Sequence, residues 1–332
     1  MAASFAKAGH DASIYGQDPA FIAKAEQAGL TAHMRPKIPD YSPFEIVYYR
    51  RMFRRTGADV VVVNVGKDLR TAGVAARTLG LPVIRRVGAP KDFRESFQTR
   101  LDHRWLQPAF ICCSRYTLNR LVRFVPHVTL YEHVAIHPGT PIPEDLEIAM
   151  HKPLRMVTTS RLAADKRHLD LLGALPILRH KGILPELDIV GDGPMRPKLE
   201  AFVREHGLEN QVRLHGFTSN VEAFLRSADI FILPSLHEPL GIALEEAMAH
   251  GLVPVARNEG GVPEIWPDDL RELMVGRDAG PEEFAAVLEY VLSWTEERHV
   301  SVREAVRQWA AAHFSQQRQF ALFYNWVCGV VE

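Results

Sequence analysis

The chain has 332 residues, 47% of them hydrophobic, and its 39 Lys and Arg nearly balance its 40 Asp and Glu. This length favours two domains of about 150 residues, and the apolar content is enough to bury two separate cores. No apolar run approaches the roughly 20 residues that cross a bilayer, and three cysteines without a Cys-x-x-Cys pair argue against a disulfide-stabilised protein. Together with an N-terminus unlike a signal peptide, these features predict a cytoplasmic protein.

Charge is unevenly distributed along the chain. Residues 1–150 carry 20 Lys and Arg against 14 Asp and Glu, whereas residues 151–332 carry 19 against 26. Two interpretations stay open: the halves have different partners, or their surfaces are only solvated differently.

Short apolar runs alternate with helical spacing in the first half. DVVVVNV (59–65) has the β-branched composition of a buried parallel strand, and RTAGVAARTLG (70–80) has helical spacing and stops at a glycine. LPVIRRV (81–87) and AFICCS (109–114) have the composition of further strands. This alternation predicts a parallel sheet covered by helices.

A linker is predicted over 138–153, which contains four prolines and several charges. The alternation then restarts, and the tail from Pro281 to Glu332 has a helical pattern. The predicted strands of this half are 154–160, 186–193, 212–217, 228–235 and 252–258, and its first helices are 168–182 and 194–207. The sequence therefore predicts two α/β Rossmann-like domains, with ligands bound at the carboxyl ends of parallel strands.

The segment PSLHEPLGIALEEAMAHG (234–251) carries the strongest chemical signal. A strand ends at Pro234, a short loop holds Glu238 and Gly241, and a helix carries Glu246 to a glycine stop. Free N–H groups at a helix start bind anions such as a diphosphate, and a carboxylate can accept hydrogen bonds from a ribose diol or a sugar. A loop-capped helix with solvated glutamates explains the spacing equally well.

Four further loops follow predicted strands. SRLAADK places Arg161 and Lys166 where two cations can hold a departing diphosphate. VGDGP contains a tight turn at Gly191, and HGF ends a strand at Gly216 and Phe217, where a base can lie against the backbone. EGGVPEIW contains Gly261, whose backbone can approach a sugar or phosphate. Each segment alone is also compatible with a plain loop.

In this order, the segments resemble the C-terminal domain of the retaining glycosyltransferases of family 4, which belong to glycosyl transferases group 1 and have the GT-B fold. The shared pattern is an Arg and a Lys after a strand, then Gly-Asp-Gly-Pro and a Gly-Phe turn. It ends with two glutamates eight positions apart and a Gly-Gly loop followed by Pro-Glu. The resemblance is specific over about 150–270.

The resemblance implies an α/β GT-B protein with two Rossmann-like domains facing across a cleft. The acceptor-side domain would span 1–150, the nucleotide-sugar domain 151–310, and a C-terminal helix over 311–332 would pack back on the first domain. Family members begin with a strand and a glycine-rich loop, whereas AASFAKAGHDASIYG resembles the end of the first helix running into the second strand. The N-terminal domain is thus expected to lack its first strand, by truncation or natural loss.

Site roles follow from the same resemblance. Arg161 and Lys166 would contact the donor diphosphate and Glu246 the ribose, while Glu238, with the backbone of Leu240 and Gly241, would contact the transferred sugar. The implied catalytic residues are Glu238, Arg161 and Lys166, and the other implied donor-binding residues are Glu246, Leu240, Gly241, Gly216, Phe217, Gly191 and Gly261. The reaction would be a metal-independent hexosyl transfer with retention, in which cations replace a metal and no cofactor is needed besides the nucleotide-diphosphate sugar.

The acceptor side is less regular. Many family members carry a histidine after the strand that resembles LPVIRRV, whereas this chain has Arg85 and Arg86 there. These arginines are candidate contacts for an anionic acceptor or for the phosphates, or ordinary surface charge, and Lys67 is a further candidate acceptor contact. The expected acceptor is a glycan or a lipid-linked molecule of polysaccharide or lipopolysaccharide synthesis. The basic stretch from Arg85 to Arg123 indicates either peripheral contact with an anionic membrane or a solvated helical face.

Several alternatives remain open at this point. The same fold serves nucleotide-sugar epimerases, and the missing first strand is compatible with a truncated, non-catalytic nucleotide-sugar-binding protein. Nucleic acid is not expected, because no aromatic interleaving accompanies the basic charge. The histidines are scattered without the spacing of metal ligands, so no metal site is expected. A dinucleotide-dependent dehydrogenase is disfavoured, because the sequence lacks a Gly-x-Gly-x-x-Gly motif after a strand.

Overall fold

The computed structural model describes residues 1–36, 39–89, 95–148 and 150–331. The chain divides into two compact units. The first, here the N-terminal unit, consists of Met1–Cys113, Leu118–Pro138 and Gln319–Glu332, and the second, the C-terminal unit, of Ser114–Thr117 and Gly139–Arg318.

The described residues of the N-terminal unit form two parallel sheets. One has the strands β1 (Ser13–Gly16) and β2 (Thr31–Met34), and the other has four strands in the order β3-β4-β5-β6. These four are β3 (Val61–Val63), β4 (Val83–Val87), β5 (Ala109–Cys112) and β6 (His133–Ala135). The helices are α1 (Ala2–Lys7), α2 (Pro19–Gln27), α3 (Pro43–Thr56), α4 (Gly66–Asp68), α5 (Val74–Arg77), α6 (Phe97–Leu106) and α7 (Arg115–Phe124), of which α7 belongs to this unit from Leu118 onward.

Strands β3 to β5 lie inside the apolar runs from which they were predicted. Every residue of β5 is buried, as expected for a parallel strand with both faces covered. The predicted helix over 70–80 forms α5, but residues Leu69–Gly73 before it form a π-helical turn. Residues from the C-terminal end of the chain also belong to this unit, where Phe323 and Val327 pack against Ile84 and Ile111.

In the C-terminal unit, the part of the chain that the structure describes forms a six-stranded parallel sheet in the order β12-β11-β10-β7-β8-β9. Its strands are β7 (Arg155–Thr159), β8 (Glu186–Val190), β9 (Val212–Gly216), β10 (Ile230–Leu233), β11 (Val253–Arg257) and β12 (Met274–Val275). Its helices are α8 (His168–His180), α9 (Arg196–Glu205), α10 (Val221–Arg226), α11 (Ile242–Ala249), α12 (Val262–Ile265), α13 (Pro281–Leu292) and α14 (Glu296–Phe314), and the last helix, α15 (Gln316–Val331), begins in this unit.

This strand order fixes the position of the candidate site. The first strand of the unit, β7, lies at the centre, with β8 on one side and β10 on the other. The chain therefore leaves β7 and β10 in opposite directions, and a crevice opens between the two loops that follow these strands. The sheet is covered on both faces, since every residue of β10 and β11 is buried.

No helix within the described parts of the chain is long and apolar enough to cross a membrane.

Candidate functional site

Two loops meet at the crevice between β7 and β10. The loop after β7 carries Arg161 and Lys166, and the loop after β10 carries Glu238. Their backbones are joined directly, because the amide of Leu236 donates to the carbonyl oxygen of Asp165 at 2.7 Å. The structure thus brings together two segments that lie about 70 residues apart in the sequence.

Lys166 and Glu238 form an ion pair across these loops. The Lys166 ammonium donates to the Glu238 carboxylate at 2.7 Å, and the two side chains are only 20% and 12% exposed. Arg161, by contrast, is exposed and makes no ion pair with the residues that the structure describes. Of the two predicted diphosphate contacts, Lys166 is therefore already paired with Glu238, whereas Arg161 is exposed to solvent.

The loop after β10 ends at Gly241, which directly precedes helix α11. Gly241 has φ +100°, a left-handed conformation that disfavours any residue with a Cβ, and it turns the chain into the helix. Leu240 before it is buried at 1% exposure. Glu246 is half-buried on the second turn of α11, and its neighbour Glu245 is fully buried. The predicted pair thus has one carboxylate on the loop and one on the helix.

The Gly-Gly loop packs directly on the Glu238 segment. Gly260 has φ +64°, and a Cβ added there would lie 1.8 Å from the Glu238 carbonyl oxygen. The Gly261 amide donates to the same oxygen at 3.0 Å. The predicted donor contact Gly261 therefore uses its N–H to hold the carboxylate loop, and only glycine at position 260 permits this approach.

An acidic group beside this loop was missed by the sequence analysis. Glu259 is 8% exposed, its carboxylate lies 2.8 Å from the Arg277 guanidinium, and the His237 ring is 3.8 Å away. His237 has φ +58° and directly precedes Glu238. A glutamate directly before a glycine pair, after a predicted strand, is the sequence signal that could have identified it.

The glycine turn after β8 lies against the end of β9 and against the loop after β7 (160–167), here called the cation loop. The Gly191 amide donates to the Gly216 carbonyl oxygen at 2.9 Å, and the amide of Leu162 donates to the Asp192 carbonyl oxygen at 2.9 Å. Beyond Gly216, the Phe217 side chain is 84% exposed. The predicted donor contacts Gly191, Gly216 and Phe217 are therefore neighbours, and an exposed aromatic ring beside backbone polar groups can bind a planar base.

A buried histidine supports the cation loop. The His168 ring lies 2.9 Å from the Ser160 hydroxyl and is 2% exposed. Burial, together with the nearby positive charge of Lys166, lowers the pKa of His168 from 6.5 to about 4. At neutral pH the ring is therefore uncharged and does not compete with the loop cations for an anion.

The candidate acceptor residues lie in the N-terminal unit and do not form one group. Arg85 and Arg86 are consecutive on β4, so their side chains leave opposite faces of the sheet. Arg85 is 6% exposed and lies 3.2 Å from the His103 ring, on the side of Gly66. Arg86 lies near the Met1 amine, whose pKa is lowered mainly by burial and then by this guanidinium.

His103 is a buried group in this unit that the sequence did not single out. Its ring is fully buried between Arg85 and His127, 2.9 Å from the His127 ring. Burial, and then the positive charge of Arg85, lowers the pKa of His103 to about 3. The uncharged ring can thus accept a hydrogen bond from Arg85 and fix the direction of that guanidinium.

Comparison with known proteins identifies the second half of the chain. Residues 144–309 match the family model described as Glycosyl transferases group 1, which is half of the chain. Among curated proteins, the amylovoran biosynthesis glycosyltransferase AmsK of Erwinia amylovora is 32% identical over 164 residues. One component of the phosphatidylinositol N-acetylglucosaminyltransferase of Arabidopsis thaliana is 32% identical over 165 residues.

These alignments cover only part of each protein. They span 42% and 46% of this chain, but 40% and 36% of the two relatives. The chain therefore matches less than half the length of these relatives.

Known structures resemble the whole chain. A glycosyltransferase from Rickettsia africae ESF-5 has a TM-score of 0.85 at 15% identity, covering 100% of this chain and 93% of that one. Anabaena Alr3699/HepE, crystallised in complex with UDP and glucose, has a TM-score of 0.78 at 17% identity, covering 98% and 94%. The predicted α/β class and GT-B fold are thereby confirmed.

Proposed function

We propose, from the premise that the chain belongs to the glycosyl transferases group 1 family, that it moves a hexose from a nucleoside-diphosphate sugar to an acceptor with retention of anomeric configuration. The observation that carries this proposal is the Lys166–Glu238 ion pair at the crevice of the C-terminal sheet. It places a cation for a leaving diphosphate directly beside a carboxylate for a sugar hydroxyl.

The donor is assigned to the surrounding loops. Arg161 and Lys166 bind the diphosphate, and Glu238, with the backbone at Leu240 and Gly241, binds the hexose. The Glu246 carboxylate accepts hydrogen bonds from the ribose hydroxyls. The remaining donor contacts are the base-side residues Gly216, Phe217 and Gly191 and the sugar-side residue Gly261. This assignment of the donor groups is supported by the geometry of the loops, which are joined to one another by backbone hydrogen bonds.

The proposed reaction needs no protein nucleophile. The bond between the sugar C1 and the β-phosphate oxygen breaks, an acceptor oxygen bonds to C1 on the same face, and the acceptor proton passes to the departing phosphate. Lys166 and Arg161 stabilise the negative charge that develops on the diphosphate, the role that a metal ion plays in other transferases. We therefore expect transfer to persist in excess EDTA, and loss of activity that only a divalent cation restores would contradict metal independence.

A glycan or a lipid-linked molecule is the acceptor class that we propose. AmsK is named for amylovoran biosynthesis, and other relatives of similar identity are named for colanic acid and lipopolysaccharide core biosynthesis. Lys67 and Arg85 are the acceptor contacts that we favour, because Arg85 lies on the Gly66 side of β4 whereas Arg86 leaves the opposite face.

Peripheral contact with an anionic membrane is part of this proposal. On helix α6, Phe97, Leu101 and Trp105 are 82%, 51% and 49% exposed and follow one another at four-residue spacing. Arg100 and Arg104 are exposed beside this stripe. An apolar stripe flanked by arginines suits the interface of an anionic bilayer, where tryptophan is also favoured.

Vesicle flotation tests the membrane contact. We expect the chain to bind vesicles rich in phosphatidylglycerol but not neutral vesicles, and Leu101→Ser with Trp105→Ser to weaken this binding at least about tenfold. Leu184→Ser, which removes a 56% exposed leucine from the C-terminal unit, is the matched control. Binding that survives the α6 changes would contradict this surface.

Sugar transfer decides among the candidate functions. The chain is incubated with a panel of nucleoside-diphosphate hexoses and with lipid-linked and glycan acceptors, and the anomeric configuration of the product is determined by NMR. A product with the anomeric configuration of the donor supports the proposal. An epimerised nucleotide sugar without acceptor product would favour the epimerase, and binding without turnover would favour a non-catalytic role.

A further inference from the structure

Arg257, at the carboxyl end of β11, is buried to 1% exposure and makes hydrogen bonds in three directions. Its Nε donates to the Pro234 carbonyl oxygen at 2.8 Å, at the start of the loop that carries Glu238. One terminal nitrogen donates to the carbonyl oxygens of Arg277 and Ala279 at 2.7 and 2.8 Å. The other donates to the Asp170 carboxylate at 2.6 Å.

Asp170 continues this network to the cation loop. It lies in the first turn of α8 and accepts two hydrogen bonds from the Arg167 guanidinium, at 2.8 and 3.0 Å. Arg167 directly follows Lys166 and has φ +54°, a left-handed conformation that is unfavourable for a residue with a side chain. The two side-chain hydrogen bonds to Asp170 offset part of this backbone strain.

The contacts form a closed ring. From Lys166 the ring runs through Arg167 to Asp170 and Arg257, then through Pro234 along the loop to Glu238, which returns to Lys166 at 2.7 Å. We propose that Arg257 is a positioning residue that fixes the distance between the cation loop (160–167) and the carboxylate loop (234–241) before the donor binds. The part of this proposal that concerns catalysis rests on the proposed function.

The physical basis is preorganisation. A guanidinium has five donors in a rigid plane, so one side chain can bind a carboxylate and several carbonyl oxygens at fixed angles. Lysine can keep the charge toward Asp170 but cannot hold Pro234 and the 277–279 segment at the same time. Loosening the loops by about 1 Å would misplace Lys166 in the transition state and lower the rate on the order of a hundredfold.

The C-terminal unit offers a matched control. Arg303 is also buried, bonds to Asp229 at 2.8 Å and donates to the carbonyl oxygens of Gly251 and Ala228, but it does not belong to the ring. Arg257→Lys and Arg303→Lys therefore remove comparable buried networks. Only the first is expected to act on the two loops.

Hydrogen exchange of the ligand-free protein tests the positioning role without any activity. We expect Arg257→Lys to increase amide exchange in 160–167 and 234–241, whereas Arg303→Lys leaves these segments as protected as in the wild type. Asp170→Asn, which keeps the size of the side chain but removes its charge, should reproduce the effect if Arg257→Lys fails to fold. Unchanged protection of both loops in folded Arg257→Lys or Asp170→Asn would overturn the inference.

Kinetics test whether the positioning acts through Lys166. We expect Arg257→Lys to lower kcat at least about tenfold with the donor KM within about threefold, because the interaction is needed in the transition state. In the Lys166→Ala background, Arg257→Lys should lower kcat little further. If the double variant instead loses kcat by the product of the two single losses, Arg257 does not act through Lys166. If the wild type transfers no sugar, the proposed function is contradicted. If amide exchange in the two loops still increases in Arg257→Lys, the positioning role of Arg257 is supported all the same.

Discussion

The Lys166 ammonium lies 2.7 Å from the Glu238 carboxylate, although the two residues belong to loops that follow different strands of the C-terminal sheet. Both side chains are mostly buried, so their attraction is screened less than that of a surface pair. The pair gives the ligand-free site a defined spacing between cation and carboxylate. The predictions below follow from this relationship and its surroundings.

Removing the cation should affect the chemical step most. We expect Lys166→Ala to lower the rate of sugar transfer by about 10² to 10³, because one preorganised donor to developing negative charge typically contributes that much. The measurement is kcat with saturating donor. Lys181→Ala, which removes an exposed lysine paired with Glu289 on the surface, should leave kcat unchanged.

Neutralising the carboxylate should separate diphosphate binding from transfer. In Glu238→Gln, Lys166 loses its anionic partner, so we expect a free nucleoside diphosphate to bind at least as tightly as to the wild type. Sugar transfer should fall at least about a hundredfold, because the amide is a weaker acceptor for the sugar hydroxyls. Calorimetric titration and kcat are compared on the same preparation, and weaker diphosphate binding would argue against competition between Glu238 and the ligand.

The Gly-Gly loop should tolerate no side chain at position 260. Gly260→Ala adds a Cβ 1.8 Å from the Glu238 carbonyl oxygen at a left-handed φ, so the loop must move. We expect the free energy of unfolding to fall by at least about 2 kcal/mol and donor binding to be lost. Gly276→Ala, where a new Cβ meets nothing within 4 Å, is the control and should be near neutral in both measurements.

Acid should destabilise the C-terminal unit through His168. Its pKa in the folded protein is about 4, below the ordinary value of 6.5, so the unfolded chain binds more protons between these values. The contribution of the uncharged His168 ring to the free energy of unfolding is therefore fully present above pH 6.5 and is lost as the pH falls toward 4. By pH 5 this loss is about 2 kcal/mol.

Urea unfolding at pH 7 and pH 5 measures this contribution. Between the two pH values, the free energy of unfolding of His168→Gln should fall by about 2 kcal/mol less than that of the wild type. The exposed His180→Gln should behave like the wild type. If the pH dependence of His168→Gln equals that of the wild type, the buried neutral ring is not its source.

Most of the C-terminal sheet could be predicted from apolar runs or from alternation: β10 and β11 are buried at every residue, whereas β9 alternates buried or half-buried residues with exposed ones. The five runs predicted there contain β7 to β11, whereas β12, with two residues, has no pattern of its own. In the N-terminal unit, β2 and β6 have three or four residues, include histidine and are largely exposed or half-buried, so apolar composition does not distinguish them from loops.

The ring around the site could be predicted only in part. Lys166 and Glu238 stand in loops after apolar strands, which is why their segments were singled out. The partnership of Arg257 with Asp170 joins residues 87 positions apart, and no local pattern records such a contact. An arginine that closes the apolar strand VPVAR is nevertheless a usable signal, because a charge at a buried strand end needs a partner.

Binding of nucleoside diphosphates, measured by calorimetric titration with each of the common bases, tests the central claim most directly. The account predicts that at least one nucleoside diphosphate binds to the wild type and that Glu246→Ala weakens this binding at least about tenfold through loss of the ribose contact. Glu205→Ala, an exposed glutamate at the end of α9, should bind like the wild type. The absence of binding by every nucleoside diphosphate, or equal affinity of the wild type and Glu246→Ala, would contradict a donor site built on these loops.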